Sequence, residues 1–103
     1  MRLAHLVWDG DRPPTERELR NRLAADGFHA YLWTDAPGAH YQPHTHEADE
    51  SLWVLDGEMT FEVAGRSYRL GPGDRLALPA GTLHAATAGP AGATYLIGER
   101  ADQ

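Results

Sequence analysis

The sequence contains no cysteine and no lysine. The absence of cysteine excludes a disulfide scaffold, a thiolate metal site and a cysteine nucleophile. Any protein ligand to a transition metal must therefore be a histidine nitrogen or a carboxylate oxygen. The nine basic residues are all arginine and face 15 acidic residues, which gives a formal net charge of −6. This balance argues against a general affinity for nucleic acid or for an anionic membrane, since both favour a positive protein surface.

The sequence also has no long hydrophobic run. Its first eleven residues, MRLAHLVWDGD, hold a short and broken apolar stretch before the acidic residues begin. That stretch is too short for the core of a signal peptide or for a membrane span, so we expect a cytoplasmic protein that does not bind membranes. A length of 103 residues with 42% hydrophobic content is typical of a single compact domain.

One helix can be read from the segment that follows. Thr15 is placed to cap it and Glu18 lies three residues later, which is the pattern of a capping box. Leu19 and Leu23 form a narrow apolar stripe, and Gly27 can end the helix in a left-handed conformation. The pattern predicts a helix over residues 16–26. One narrow stripe cannot build a helical bundle, so this helix must pack against another kind of structure.

After Gly27 the pattern changes to short β-like runs separated by turn residues. Asp56-Gly57 and Ala64-Gly65 are typical of hairpin turns. Seven or eight short strands without intervening helices indicate an antiparallel sandwich or barrel. Spacing alone leaves an immunoglobulin-like sandwich, a lipocalin-like barrel and a jelly roll open. The predicted strands cover residues 28–34, 38–44, 50–55, 59–64, 67–70, 75–79, 84–88 and 94–98.

Four residues stand out as a possible metal site. In a strand, His44 and His46 would point to the same face, where one cation can meet both imidazoles. Glu50 follows a short polar turn, and an adjacent strand could bring its carboxylate to the same ion. His84 opens another strand behind a tight Pro-Ala-Gly turn. The alternative is a histidine pair on a solvated strand end. The remaining histidines are expected at surface or half-buried polar positions: His5, His29 and His40.

A family resemblance favours the metal site. Residues 38–57 read G-x5-H-x-H-x3-E-x6-G, and residues 73–88 read G-x5-P-x-G-x2-H-x3-A. The first segment resembles the first conserved motif of the cupin superfamily without a departure. The second resembles the second cupin motif except at Ala88, where the family pattern has asparagine. The two motifs extend over about half of the chain.

This resemblance implies an all-β fold, the cupin double-stranded β-helix or jelly-roll barrel, with one short N-terminal helix. The chain would be a single cupin domain, residues 1–103, with an N-terminal strand and helix over 1–27 and the β-barrel over 28–100. The resemblance also implies the metal ligands. They are His44, His46, Glu50 and His84, and Ala88 is not at a ligand position.

Three imidazoles and one carboxylate suit a divalent transition-metal ion: iron, manganese, nickel, copper or zinc. Strand alternation predicts which other residues share a face with the ligands. Expected pocket residues are Gln42, Leu52, Val54, Ala86 and Ala88. Two aromatic residues further up the chain, Tyr31 and Trp33, are expected in core or interface packing, with a place at the pocket mouth as the alternative. Glu47 and Asp49 are expected on an exposed turn.

The sequence and the resemblance together favour metal-dependent chemistry on a small organic molecule. Dioxygenase-type chemistry is the first subclass to test and isomerase or lyase chemistry the second. The alternative is a non-catalytic cupin that senses or stores a metal or a small ligand. We expect a small-molecule partner and a homodimer, because a barrel of this size has a small core.

Overall fold

The computed structural model describes residues 1–101 of the chain. Within that range the chain forms one helix and seven strands, and every strand pairing is antiparallel. In chain order the elements are β1 (Ala4–Leu6), α1 (Glu16–Ala25), β2 (His29–Asp35), β3 (His40–His44), β4 (Asp49–Val63), β5 (Arg66–Leu70), β6 (Arg75–Leu78) and β7 (His84–Arg100).

Strands β4 and β7 are much longer than the others and connect two sheets. The first half of β4 and the second half of β7 lie between β6 and β2, with β1 next to β6. The second half of β4 and the first half of β7 lie between β5 and β3. The two sheets therefore share their central strands, and the predicted jelly roll is confirmed.

The prediction of a hairpin at Asp56-Gly57 is wrong. These residues lie inside β4 and pair with Thr94 and Ala93 of β7, with register shifts on either side. Gly57 has φ of 75°, and a Cβ there would overlap the carbonyl oxygen of Gly92. The glycine therefore serves a bend between the two sheets, where positive φ and close backbone approach are both needed.

The two strands predicted over residues 84–88 and 94–98 are one strand, because residues 89–92 between them also lie within β7. The hairpin predicted at Ala64-Gly65 is confirmed. Both residues have positive φ, 51° and 79°, between β4 and β5, as a type I′ turn requires.

The main core fills the space between the sheets. Alternating residues of β4 and β7 point into it, among them Leu52, Val54 and Tyr95. The residues between them, Trp53 and Leu96, point to the opposite face of the first sheet. This alternation is the period of two that a strand imposes on its side chains.

Helix α1 covers that opposite face. Leu19 and Leu23 are fully buried and pack with Phe28, Trp53 and Leu96. The predicted capping box is present, and the amide of Phe28 donates to the carbonyl of Leu23 at 2.9 Å just past the helix. The predicted helix over 16–26 is thus confirmed, with its end at Ala25. In residues 1–101, no helix has the length and apolar character needed to cross a membrane.

Candidate metal centre and its cavity

Three strands and the loop after β3 bring the four predicted ligands to one end of the barrel. His44 ends β3 and is the direct cross-strand partner of His84, the first residue of β7. His46 lies two residues past the end of β3. Its carbonyl accepts a hydrogen bond from the amide of Gly81 at 2.9 Å, which ties this loop to the turn before His84. Glu50 is the second residue of β4.

The three histidines have the geometry of a metal-binding group. One ring nitrogen from each of His44, His46 and His84 lies within 4.8 Å of the others. The Nδ1 atoms of His44 and His84 face the backbone carbonyls of Gln42 and Thr82 at 2.6 and 2.8 Å. A carbonyl only accepts, so each Nδ1 carries the proton and each Nε2 keeps a free lone pair. The donor set therefore fits a transition-metal ion.

Glu50 adds a buried carboxylate beside this group. Its Oε1 lies 3.5 Å from Nε2 of His46 and 4.0 Å from Nε2 of His84. The residue is only 5% exposed. Burial, and then the charge of nearby Glu99, raise the pKa of Glu50 to about 7. A cation between the imidazoles would offset the unfavourable desolvation of the Glu50 carboxylate by stabilising its ionised form.

Burial also acts on the histidines. It lowers the pKa of His84 and of His46, and the neighbouring imidazoles lower both further, although the carbonyl of Thr82 acts in the opposite direction on His84. The lowered pKa values favour the neutral form of both side chains. Neutral imidazole is the form that binds a metal, so the site needs no deprotonation of these two residues.

A cavity of about 220 Å³ opens beside the four residues. Leu52 and Ala86 line it as predicted. Val54 and Ala88 are instead buried in the core between the sheets. On one side the cavity is lined by aromatic residues of β2, β3 and β7, which we call the aromatic wall: Tyr31, Trp33, Tyr41 and Tyr95.

The prediction that Gln42 points inward is wrong. The register between β3 and β7 shifts between Tyr41 and His44, so these two residues line the cavity together although they are three apart. Gln42 is exposed. An irregularity in the strand, next to Pro43, breaks the simple alternation on which the prediction rested.

Three more expectations are corrected or resolved here. Asp49 is not on an exposed turn: it is 9% exposed and accepts a hydrogen bond from the amide of Ala80 at 2.8 Å. Glu47 is exposed, as expected. Tyr31 and Trp33 take the alternative position, because they line the cavity and remain 43% and 47% exposed.

Asp35 was missed by the sequence reasoning. It is buried at the end of β2 and accepts hydrogen bonds from the phenols of Tyr41 and Tyr95 and from Nε1 of Trp33. Tyr41 and Tyr95 lie 6 and 60 residues from Asp35 in the chain, and Trp33 lies on the same strand. The only local signal was an acidic residue two positions after Trp33 on the same strand face, a pattern that usually marks a solvated strand end.

The chain resembles known proteins over most of its barrel. The family model described as "Cupin domain" matches residues 31–96. The dimethylsulfoniopropionate lyase DddQ of Ruegeria pomeroyi is 40% identical over 64 residues, which are 61% of this chain and 32% of that protein. Quercetin 2,3-dioxygenase of Bacillus subtilis is 35% identical over 82 residues, 74% of this chain and 24% of that protein.

Two solved structures agree with these matches. The crystal structure of DddQ superposes with a TM-score of 0.66 at 34% identity, covering 73% of this chain and 39% of that chain. The structure of KdgF from Halomonas sp. gives a TM-score of 0.62 at 30% identity, covering 73% and 71%. The chain spans only about a quarter to a third of the length of the curated relatives. Since the family model matches more than half of its residues, the chain belongs to the cupin family.

Proposed function

We propose that this chain holds a divalent transition-metal ion and performs metal-dependent chemistry on a small organic molecule in the adjacent cavity. The ligands are His44, His46, Glu50 and His84. The observation that carries the proposal is the histidine geometry: three ring nitrogens lie within 4.8 Å of one another. Two of the rings have Nδ1 occupied by a backbone carbonyl, which leaves Nε2 free to bind a cation.

Each part of the site has a role in this chemistry. A bound divalent ion supplies a Lewis acid and a binding place for dioxygen or for a substrate oxygen. The three imidazoles hold its position, and the carboxylate of Glu50 offsets part of its charge. The largely apolar cavity beside the ligands can receive the organic part of the substrate. Iron, manganese, nickel, copper and zinc all suit this donor set.

Two reaction classes are supported by the relatives. Quercetin 2,3-dioxygenase is named for an oxygenation and DddQ for a lyase reaction. We place dioxygenase-type chemistry first and lyase or isomerase chemistry second. The two differ in their need for dioxygen, so that requirement separates them experimentally.

The metal site is tested by elemental analysis of protein purified without chelator. Wild type is compared with His46→Ala and with His40→Ala, a matched histidine on β3 whose Nδ1 lies 2.8 Å from Thr87 Oγ1, away from the cluster. We expect about one ion per chain in wild type and in His40→Ala, and at least a tenfold loss of affinity in His46→Ala. A wild-type protein that takes up none of the five ions would overturn the proposal.

The reaction class is tested on protein loaded with each ion without oxygen. Oxygen uptake is then followed with quercetin and with small diketones, thiols and phenols. In parallel, dimethylsulfoniopropionate is incubated without oxygen and its cleavage is followed. Turnover only with oxygen supports the dioxygenase assignment, and anaerobic cleavage supports the lyase assignment. Metal-loaded protein with no turnover in any assay would contradict catalysis and favour a non-catalytic sensing or storage role.

A further inference from the structure

The aromatic wall is held by two carboxylates that take up its polar hydrogens. Tyr95 donates to Oδ2 of Asp35 at 2.6 Å, and Tyr41 donates to Oδ1 of the same residue. The indole Nε1 of Trp33 also donates to Asp35 Oδ1, at 3.0 Å, and lies 3.2 Å from the Tyr41 hydroxyl. Asp35 is 7% exposed, so these bonds are largely shielded from water.

Tyr31 follows the same pattern with a different carboxylate. Its hydroxyl donates to Oε1 of Glu99 at 2.9 Å. Burial and Glu99 raise the pKa of Tyr31 to about 12, while Asp35 and burial raise the pKa of Tyr41. The phenols therefore keep their protons and donate them in hydrogen bonds to the carboxylates.

This arrangement determines what the wall can offer to a ligand. A phenol has one hydrogen to donate, and in each of the three tyrosines that hydrogen is already donated. The hydroxyl oxygens can only accept a further hydrogen bond. An aromatic ring face carries the negative side of the quadrupole, and two carboxylates accept hydrogen bonds from the hydroxyls of the wall. The wall thus favours positive charge and hydrogen-bond donors, and it disfavours anions.

We propose that the aromatic wall selects ligands that carry a cationic or hydrogen-bond-donating group, and that Asp35 sets this preference. This inference rests on the proposed metal site, since an anionic group of the same ligand would bind the ion. The substrate class is then a small zwitterion or a cation-bearing acid. A dicarboxylate would place its second negative charge against the wall.

Three probes of closely similar size separate these possibilities. In 3-(trimethylammonio)propanoate a cationic group follows a carboxylate and two methylenes. In 4,4-dimethylpentanoate a tert-butyl group replaces the cation at the same shape, and glutarate carries a second carboxylate. Affinity is measured by calorimetry on zinc-loaded protein of known metal content. We expect the cationic probe to bind about tenfold more tightly than the neutral one, as a partly desolvated cation–π contact predicts, and glutarate to bind most weakly.

Variants test the part played by the wall. In Asp35→Asn the amide can accept from one phenol and donate to the other, which removes the charge and frees a phenol proton for the cavity. We expect the cationic probe to bind at most about threefold more tightly than the neutral probe, and the affinity for glutarate to rise. Trp33→Leu keeps apolar contact at a half-exposed position and removes the ring face, so it should weaken only the cationic probe. Glu62→Gln removes an exposed carboxylate outside the cavity and should leave the ratio unchanged.

The outcomes distinguish this inference from the proposed function. Thermal melts establish that each variant is folded. If Asp35→Asn does not fold, the affinities of Trp33→Leu for the cationic and the neutral probe test the inference instead. A protein that takes up no metal overturns the proposed function, and this inference with it. A metal-loaded protein overturns this inference alone if it binds none of the probes, binds the neutral probe as tightly as the cationic one, or prefers glutarate.

Discussion

His44 and His84 face each other directly across β3 and β7, with ring centroids 4.4 Å apart, although 40 residues separate them in the chain. The pair closes the ladder between the two strands at the end where the cavity opens. The position of the candidate metal centre therefore depends on the register of this ladder. A slip of one residue would turn one of the imidazoles to the other face of the sheet.

The first prediction concerns the tautomers of these two histidines in metal-free protein. Because Nδ1 of His44 and of His84 faces a backbone carbonyl, we expect the Nδ1–H tautomer for both at pH 8. Nitrogen-15 NMR of the imidazole rings measures this directly. His40 is the comparison, because its Nδ1 faces the hydroxyl of Thr87, which can donate or accept. An Nε2–H tautomer at either His44 or His84 would contradict the geometry.

The second prediction concerns the pH dependence of stability in metal-free protein. The pKa of Glu50 is raised from about 4.5 to about 7 by burial, so the folded state prefers the protonated form. The resulting stability is fully present below about pH 4.5 and is lost as pH rises through 7, by up to about 3 kcal/mol. Glu50→Gln should remove this loss. Urea unfolding of wild type and variant between pH 4.5 and 8 measures the difference.

His46 and His84 act in the opposite direction on the same curve. Their lowered pKa values mean that stability falls as pH drops below about 6.5, where the unfolded chain takes up protons first. The comparison with Glu50→Gln cancels this contribution, because both proteins contain the histidines. A stability difference that stays constant from pH 4.5 to 8 would show that the carboxyl of Glu50 is not desolvated in the folded protein.

The third prediction concerns the bend in β4. Gly57→Ala places a Cβ on the carbonyl oxygen of Gly92 at a residue with φ of 75°, and neither backbone can move without breaking the β4–β7 ladder. We expect a loss of several kcal/mol or failure to fold. Gly65→Ala is the matched control, with φ of 79° and open space around it, and should cost only about 1–2 kcal/mol. Equal losses in a thermal or urea unfolding experiment would contradict the role assigned to the bend.

The fourth prediction concerns the start of α1. Thr15→Ala removes the hydroxyl that accepts from the Glu18 amide and should cost about 1 kcal/mol at neutral pH. Thr45→Ala, at an exposed loop threonine, should change stability little.

The hydrogen bond from Arg12 and that from the Thr15 amide lower the pKa of Glu18 to about 2. The stabilisation by the ionised Glu18 carboxylate is therefore present above about pH 4.5 and declines as pH falls toward 2. Glu18→Gln should abolish this pH dependence, which acid unfolding of wild type and variant measures.

Local sequence patterns correctly predicted the features that depend only on residues close in the chain. The capping box at Thr15, the left-handed residue Gly27 and the turn at Ala64-Gly65 all depend on neighbours within a few positions, and all three predictions are confirmed. At Asp56-Gly57 the same local rule failed. Positive φ at glycine serves a hairpin and a bend equally well, and only the pairing of the whole of β4 with β7 distinguishes them.

By itself, the sequence determined the residue types available for a metal, the resemblance to the cupin motifs and the β-rich class of the fold. Only the tertiary structure decided which side chains share the cavity. The shift in register at β3 turns Tyr41 inward and Gln42 outward, and the cluster around Asp35 joins residues up to 60 positions apart. Such contacts depend on how sheets bend and on which strands become neighbours. These long-range features are absent from any short window of sequence.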